Sequence, residues 1–408
     1  MRKDLDAVMA ENQIDAILIT GSALHNPEMY YFTGSCHVSH GDLIKKKGAS
    51  AVLYCSAMER EEAAKTGLES RVVQLGNLQK KAGGDRFKAN ILKFQEILTE
   101  NDITRGRVLI YGKADVGVNY SIFLALRELM PDIEFLGDTS EMILPKLMET
   151  KESDEIDRIR KMGKITTEVV GLTADYLTHC KVKNEVLIHN GGQPVTIGFM
   201  KNKINLWLAE RGAENPEDTI FSIGRDGGIC HSSGTLTDEI RLGMPIVYDI
   251  YPCEFGGGYF YDFTRTWCLG YAPEKVQKLF DQVHSVYKTL ISELSMNELC
   301  YSYQKRTCEL FEAMGYPTVL TKIDTTNGYV HSIGHGVGLH IHEKPWFGLK
   351  DSTTEIIKPG SVFTMEPGLY YPDENMGVRI EDTLWANPTG KIEILAEYPY
   401  DLVLPMVG

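Results

Sequence analysis

Acidic residues set inside apolar, β-rich sequence constrain the fold of this chain more than any other feature. Asp249 lies within the run Ile246-Val-Tyr-Asp-Ile, where an ionised carboxylate is costly unless it is paired or bound to a cation. A second β-rich run carries Asp262, and the turn-forming residues Gly256 and Gly257 separate the two runs. We expect a hairpin in which Asp249 faces Asp262, with a cation that offsets the repulsion between the two carboxylates.

The same arrangement recurs nearer the carboxyl end of the chain. One β-rich run ends at Glu366, another contains Glu381, and a turn-rich segment spans residues 372–377 between them. A turn centred between Asp373 and Glu374 sets Glu366 opposite Glu381. Two such hairpins offer four hard oxygen ligands, and shared carboxylates can bridge two metal ions about 3.5 to 4 Å apart. The sequence therefore predicts a metal centre built on strands.

The glycine-rich segment at residues 331–342 contains further candidate ligands. His331 and His335 have the i, i+4 spacing of a helical zinc motif, but Gly334 and Gly336 disfavour a helix. We expect an extended segment in which one imidazole binds metal while the others form hydrogen bonds or carry protons. For any one of these histidines, a purely structural role is the ordinary alternative.

The chain is predicted to contain two domains, with residues 1–147 in the first and 148–408 in the second. Before residue 145, amphipathic stretches alternate with β-rich runs, which is typical of an α/β domain with a mixed or parallel sheet. A charged stretch then precedes a helix that Ser153 is expected to cap. The β-rich runs of the first domain span residues 15–20, 51–54, 71–75 and 107–111.

Composition argues against several classes of function. The 42 Lys and Arg residues are outnumbered by 56 Asp and Glu residues, and no basic patch favours binding to nucleic acid or to an anionic membrane. No apolar run approaches the roughly 18 residues of a transmembrane helix, and the amino terminus is polar and amphipathic. The eight cysteines form no CxxC pair, so we expect reduced thiols and a cytoplasmic protein.

Taken in order, these motifs resemble the M24 metallopeptidase family, the pita-bread superfamily of creatinase and the methionyl aminopeptidases. The segment Tyr30-Tyr-Phe-Thr-Gly34 is also similar to one in the prolidase and aminopeptidase P branch. The resemblance implies an α/β, creatinase-like N-terminal domain followed by an α+β pita-bread catalytic domain. Its carriers within residues 150–408 are Asp249, Asp262-Phe-Thr-Arg-Thr266, Gly334-His-Gly-Val-Gly338, His342-Glu-Lys-Pro345, Phe363-Thr-Met-Glu366-Pro-Gly and Val378-Arg-Ile-Glu381-Asp.

The resemblance also implies roles for individual residues. Asp249 would bind one metal ion, His335 and Glu366 the other, and Asp262 and Glu381 would bridge both. Glu366 would in addition accept a proton during catalysis. Three histidines would line the substrate site: His231, His331 and His342. Two residues would support Asp249: Tyr370 and Arg379.

The function implied by the resemblance is hydrolysis of the Xaa-Pro bond at the N-terminus of peptides or in dipeptides. The attacking group would be a hydroxide that bridges two divalent metal ions, with manganese preferred and cobalt, zinc or iron compatible. The expected partners are short peptides with proline at position 2 and a second copy of the chain in a homodimer. No nucleic acid or membrane partner is expected.

One departure from the family pattern bears on the substrate. Ser232 follows His231, where Xaa-Pro peptidases commonly have tyrosine, so the pocket for the substrate differs from the usual one. Two alternatives to peptide hydrolysis therefore stay open. One is a metal-dependent hydrolase of a small non-peptide amide, and the other is a catalytically inactive pita-bread module that binds peptides or proteins.

Overall fold

A computed structural model describes residues 4–348 and 354–407, and the chain divides into two compact units. The first unit comprises Met1–Leu147 together with Gly256–Gly258. The second comprises Met148–Phe255 and Tyr259–Gly408. Within residues 4–348 and 354–407, no helix is both long enough and apolar enough to cross a membrane.

The described residues of the first unit form an α/β domain around a six-stranded mixed sheet. Its strands are β1 (Ala16–Gly21), β2 (Gly41–Lys46), β3 (Val52–Cys55), β4 (Glu69–Val72), β5 (Gly106–Lys113) and β6 (Ile133–Gly137). Its helices are α1 (Leu5–Glu11), α2 (Pro27–Thr33), α3 (Arg60–Ala64), α4 (Leu75–Lys81), α5 (Arg86–Glu100), α6 (Val116–Leu129) and α7 (Leu144–Met148).

The strand order in this sheet is β4-β3-β2-β1-β5-β6. The pairs β1–β5, β5–β6 and β3–β4 are parallel, whereas β1–β2 and β2–β3 are antiparallel. The mixed α/β sheet predicted from the sequence is therefore confirmed. The predicted strand at residues 71–75 is wrong in its bounds, because β4 ends at Val72 and Leu75 begins α4.

The second unit combines helices with several small sheets. Its helices are α8 (Ser153–Thr178), α9 (Ile197–Glu210), α10 (Gly224–Gly227), α11 (Glu274–Glu293) and α12 (Cys300–Ala313). Its strands are β7 (Lys181–Lys183), β8 (Val186–Ile188), β9 (Ala213–Glu214), β10 (Thr219–Ile223), β11 (Ile246–Ile250), β12 (Cys253–Glu254), β13 (Phe263–Leu269), β14 (His335–Gly336), β15 (Glu343–Trp346), β16 (Val362–Met365), β17 (Gly368–Tyr371), β18 (Met376–Arg379), β19 (Asp382–Asn387), β20 (Lys391–Ile394) and β21 (Val403–Leu404).

The predicted metal ligands lie on or directly beside strands of two sheets in the second unit. One has the order β10-β11-β13-β21 and the other has the order β15-β14-β16-β19-β20. An antiparallel bridge between Thr264 and Glu381 joins them, with the Glu381 amide donating to the Thr264 carbonyl at 3.1 Å. Helix α11 packs its buried stripe, which includes Val276, Val283 and Leu290, onto the core formed with these strands. The α+β architecture predicted for the second domain is confirmed.

Helix α8 begins with a different cap from the one predicted. Glu152, not Ser153, is the N-cap residue, and Ser153 is the first residue of the helix. The Glu152 amide donates to Oε2 of Glu155 at 2.7 Å, and the Glu152 side chain accepts in return from the backbone of Glu155. This reciprocal capping box satisfies two donors at once, which a serine at position 153 cannot do one residue further along.

A buried arginine fastens several segments of the second unit. The Arg265 guanidinium donates to the carbonyls of Thr264 and Glu381 and to Oδ1 of Asp382, which lies 2.9 Å away. It also donates to the carbonyls of Tyr398 and Pro399 near the carboxyl terminus. Both partners of the ion pair are buried, with the Arg265 side chain 1% and the Asp382 side chain 0% exposed.

We expect Arg265→Met to lower the free energy of unfolding of the second unit by about 3 to 5 kcal/mol, because the Asp382 carboxylate stays buried without its cation. Urea unfolding followed by tryptophan fluorescence measures this, since the four tryptophans of the sequence all lie in the second unit. Arg306→Met is the matched control, because the pair of Arg306 with Glu293 is exposed and its loss should cost less than about 1 kcal/mol. Equal unfolding midpoints for the two variants would contradict the prediction.

Candidate metal centre

The strands that carry Asp249 and Asp262 pair in a different register from the predicted one. Asp249 on β11 pairs with Thr264 on β13, and Thr264 in turn bridges to Glu381. The prediction that Asp249 faces Asp262 directly is therefore wrong, because the hairpin register is shifted by two residues. A shift of two preserves the face of the sheet, so Asp262 still points to the same side as Thr264 and lies diagonally from Asp249.

The second acidic pair follows the predicted register. Met365 pairs with Asp382 on one side of the pair, and Gly368 pairs with Arg379 on the other. Both pairings belong to the register that sets Glu366 opposite Glu381. The strands are interrupted at this point, so the two glutamates lie between β16 and β17 and between β18 and β19.

His335 enters the site from the glycine-rich segment, which is extended as predicted. Its amide donates to Oγ1 of Thr364 at 3.1 Å, and its Nδ1 lies 3.0 Å from the carbonyl of Gly336. Since a carbonyl only accepts, Nδ1 carries the proton and Nε2 presents a lone pair. That nitrogen is 3.5 Å from a carboxylate oxygen of Asp262 and 3.5 Å from one of Glu366.

The structure brings potential ligand atoms of Asp262, His335 and Glu381 within 4.8 Å of one another, and all three residues are buried. Oδ1 of Asp262 and Oδ1 of Asp249 are also buried and accept no hydrogen bond from the described residues. Unsatisfied carboxylate oxygens of this kind are costly without a cation. Carboxylates with one imidazole form a donor set suited to manganese, iron, cobalt or zinc, so the residues fit a divalent metal ion.

Burial dominates the electrostatics of this cluster. It raises the pKa of Asp262, Glu366 and Glu381 well above the ordinary carboxyl range, and neighbouring carboxylates add to the effect. Burial also lowers the pKa of His335 to about 3, with a smaller effect from His342. The imidazole is therefore neutral at pH 7, which is the form that binds metal.

Arg379 and Tyr370 form the support predicted around Asp249. Arg379 Nη2 donates to Oδ2 of Asp249 at 2.5 Å, and Nη1 donates to the Tyr370 hydroxyl at 2.7 Å. Arg379 Nε donates to the Thr264 hydroxyl, which itself donates to Oε2 of Glu381 at 2.6 Å. Thr264 was not singled out from the sequence, although it lies inside the segment that begins at Asp262.

The three predicted substrate histidines all line one cavity of about 530 Å³, together with the acidic cluster. His331 is held firmly, because Nδ1 donates to the Ser332 carbonyl at 2.6 Å and Nε2 accepts from the Tyr370 hydroxyl at 3.0 Å. His231 and His342 are exposed at the cavity. Further residues of the wall could not be predicted, since they lie outside the sequence motifs or carry no titratable group: Glu217, Ile220, Tyr251, Ile341, Trp346 and Phe347.

Comparison with known protein families assigns the chain. The family model described as metallopeptidase family M24 matches residues 157–388, which is more than half of the chain. The chain belongs to metallopeptidase family M24. The Creatinase/Prolidase N-terminal domain matches residues 1–144 of the same M24 metallopeptidase. The resemblance and the fold class inferred from the sequence motifs are therefore confirmed.

Relatives of this M24 metallopeptidase match it over nearly the whole length. An Xaa-Pro dipeptidase from Pyrococcus furiosus is 28% identical over 386 residues, which is 94% of this chain and 93% of that protein. The solved prolidase from Pyrococcus furiosus superposes with a TM-score of 0.73 at 26% identity, covering 97% of this chain and 100% of that one. An Xaa-Pro dipeptidase from Bacillus anthracis gives a TM-score of 0.75 at 22% identity over 98% of both chains, which supports the fold alone.

Bound metal is expected to stabilise the second unit, because it offsets the charge of the buried carboxylates. Manganese at 100 times its dissociation constant should add about 2.7 kcal/mol to the free energy of unfolding of chelator-treated protein. Asp262→Asn should abolish this gain and yet be at least as stable as the wild type without metal, since it removes a carboxyl group whose ionised form is disfavoured by burial. Thermal unfolding with and without MnCl₂ measures both effects.

The matched control for this experiment is Asp175→Asn, which changes a carboxylate whose side chain is 71% exposed. It should respond to manganese as the wild type does. If Asp262→Asn were stabilised by manganese as strongly as this control, Asp262 would not be a ligand.

Proposed function

We propose that this M24 metallopeptidase hydrolyses the bond between an N-terminal residue and a proline in second position, with two divalent metal ions and manganese preferred. The observation that carries the proposal is the buried acidic cluster with one neutral imidazole, which opens on a cavity of about 530 Å³. Relatives matched over more than nine-tenths of the chain and named Xaa-Pro dipeptidase support the substrate class.

The proposed ligands keep the roles that the family resemblance implies. Asp249 would help to hold one ion, His335 and Glu366 would help to hold the other, and Asp262 and Glu381 would be shared between them. Divalent cations held in this way supply Lewis-acid activation of water and of the scissile carbonyl group. The hydrogen bond from Arg379 orients the Asp249 carboxylate. The positive charge of the guanidinium thus holds Asp249 in place beside the other acidic residues.

The chain's own side chains then handle protons and substrate. Glu366 accepts the proton lost by the attacking water, since its carboxyl group lines the cavity and lies 3.5 Å from Nε2 of His335. His342 and His231 orient the substrate from the exposed side of the cavity, and His331 does so from the inner wall. The bond from Tyr370 keeps Nε2 of His331 in its acceptor state.

Several further assignments belong to this proposal. The domains are residues 1–147 and 148–408, and the active species is a homodimer as the family resemblance implies. All eight cysteines lie in the described part of the chain and are free, which supports a reducing compartment such as the cytoplasm. Ser233 lines the cavity together with His231, so a serine side chain forms part of the wall near this histidine.

Manganese-loaded protein is expected to hydrolyse Ala-Pro or Ala-Pro-Ala and to leave Ala-Ala intact. The same panel compares a dipeptide with a longer peptide and so distinguishes dipeptidase from aminopeptidase action. Asp262→Asn should lower kcat/KM by at least about 1,000-fold, because electrostatic stabilisation of the transition state is lost. Chromatographic detection of released alanine measures the rates, and metal analysis of the same samples gives the stoichiometry.

Asp175→Asn again serves as the control and should retain the rate of the wild type. Turnover of small non-peptide amides without turnover of either proline peptide would assign a different substrate class. Peptide binding without turnover in manganese, cobalt, zinc or iron would instead indicate a binding module.

A further inference from the structure

A buried ion pair that touches no proposed metal ligand lies directly beside the histidine segment. Lys151 donates through Nζ to Oε1 of Glu343, and the two side chains are only 1% and 3% exposed. Glu343 is the first residue of β15 and follows His342 in the chain. Because both side chains are buried, loss of either one would leave the other as an unpaired ion inside the protein.

The Glu343 carboxylate points back towards the residues that precede it in the chain. Its second oxygen accepts from the His340 amide at 3.3 Å. A Cβ atom at Gly338 would stand 2.3 Å from Oε1 of Glu343, so glycine is needed for the carboxylate to approach the backbone there. The Gly338 amide donates to the His340 carbonyl at 3.0 Å, which closes the turn that leads to His342.

The backbone at Lys151 is held by bonds to the segment that precedes β16. Its amide donates to the Gly360 carbonyl at 2.9 Å, and the preceding Thr150 forms a bridge with Ser361. Ser361 immediately precedes β16, and Glu366 directly follows the end of that strand. The ion pair therefore connects the turn before His342 to the strand that leads into the acidic cluster.

We propose that Lys151 and Glu343 are positioning residues for His342, an inference that rests on the proposed peptidase activity. The His342 ring contacts the His335 ring edge to face, with their centroids 4.3 Å apart, and it lines the cavity. Without Lys151, the Glu343 carboxylate has to reach water, the turn at residues 338–343 opens, and His342 moves away from His335. A displacement of about 1 Å in a group that orients substrate can cost up to about 100-fold in rate.

The first test measures amide hydrogen exchange in metal-free protein and so does not depend on activity. In Lys151→Met, exchange at residues 336–343 should be at least about tenfold faster, because the charge-assisted bond to the His340 amide is lost. Residues of β16 and β19 should exchange as in the wild type. Unchanged exchange at residues 336–343 would overturn the proposal whether or not the protein is a peptidase.

The second test measures kinetics on the manganese-loaded enzyme. Lys151→Met should lose about 10- to 100-fold in kcat/KM on Ala-Pro, mainly in kcat, with the metal content unchanged. Lys358→Met is the matched control, because it also leaves a buried carboxylate, Glu149, without its lysine but makes no bond to the histidine segment. An equal loss in both variants would mean that general instability is the cause and would overturn the positioning role.

A double variant keeps the proposal testable if Lys151→Met fails to fold. Lys151→Met combined with Glu343→Met removes both charges and leaves no unpaired ion, so the protein should fold. It should still show fast exchange at residues 336–343 and a reduced kcat, because the acceptor for the His340 amide is gone. A folded double variant with the kcat of the wild type would overturn the proposal. Absence of turnover in the wild type would instead refute the proposed function and leave the exchange test decisive for the ion pair.

Discussion

Burial of four carboxyl groups around one cavity is the constraint on which the metal centre of the second unit depends. Asp249, Asp262, Glu366 and Glu381 face one cavity, and burial holds the pKa of three of them well above its ordinary range. Arg379 contributes one fixed positive charge to this group through Asp249. A divalent cation offsets the cost of ionising these buried groups, so the burial that raises their pKa also prepares the site to bind metal.

Backbone pairing, more than side-chain packing, sets the distances within the cluster. Asp249, Thr264 and Glu381 form a row of directly paired residues across two sheets, and the strands around Glu366 and Glu381 keep one register. Paired residues on one face have closely spaced side chains, so a single row delivers ligands from segments more than 100 residues apart in the sequence. The Thr264 hydroxyl then connects Arg379 with Glu381 within that row.

Buried ion pairs lie behind the cluster and serve orientation. Arg265 holds the carbonyl of Glu381 and the carboxylate of Asp382, and Lys151 holds the carboxylate that folds under the histidine segment. Pairs of this kind contribute little net stability compared with apolar side chains of equal volume. They act on orientation instead, since each ion pair fixes a backbone segment next to a residue that faces the cavity. These two ion pairs therefore hold backbone segments that adjoin Glu381 and His342, which both line the cavity.

The sequence by itself predicted the acidic residues and histidines that face the cavity, because an ionised carboxylate within an apolar strand is costly unless it is paired or bound to a cation. It also predicted the register around Glu366 and Glu381, since a short turn between the two strands leaves few alternatives. The pairing partner of Asp249 depended on tertiary structure, because the longer connection between β11 and β13 admits more than one turn. In the folded chain Asp249 pairs with Thr264. The contact between Lys151 and Glu343 was likewise decided only in the folded chain, since 192 residues separate the two side chains and no local pattern links them.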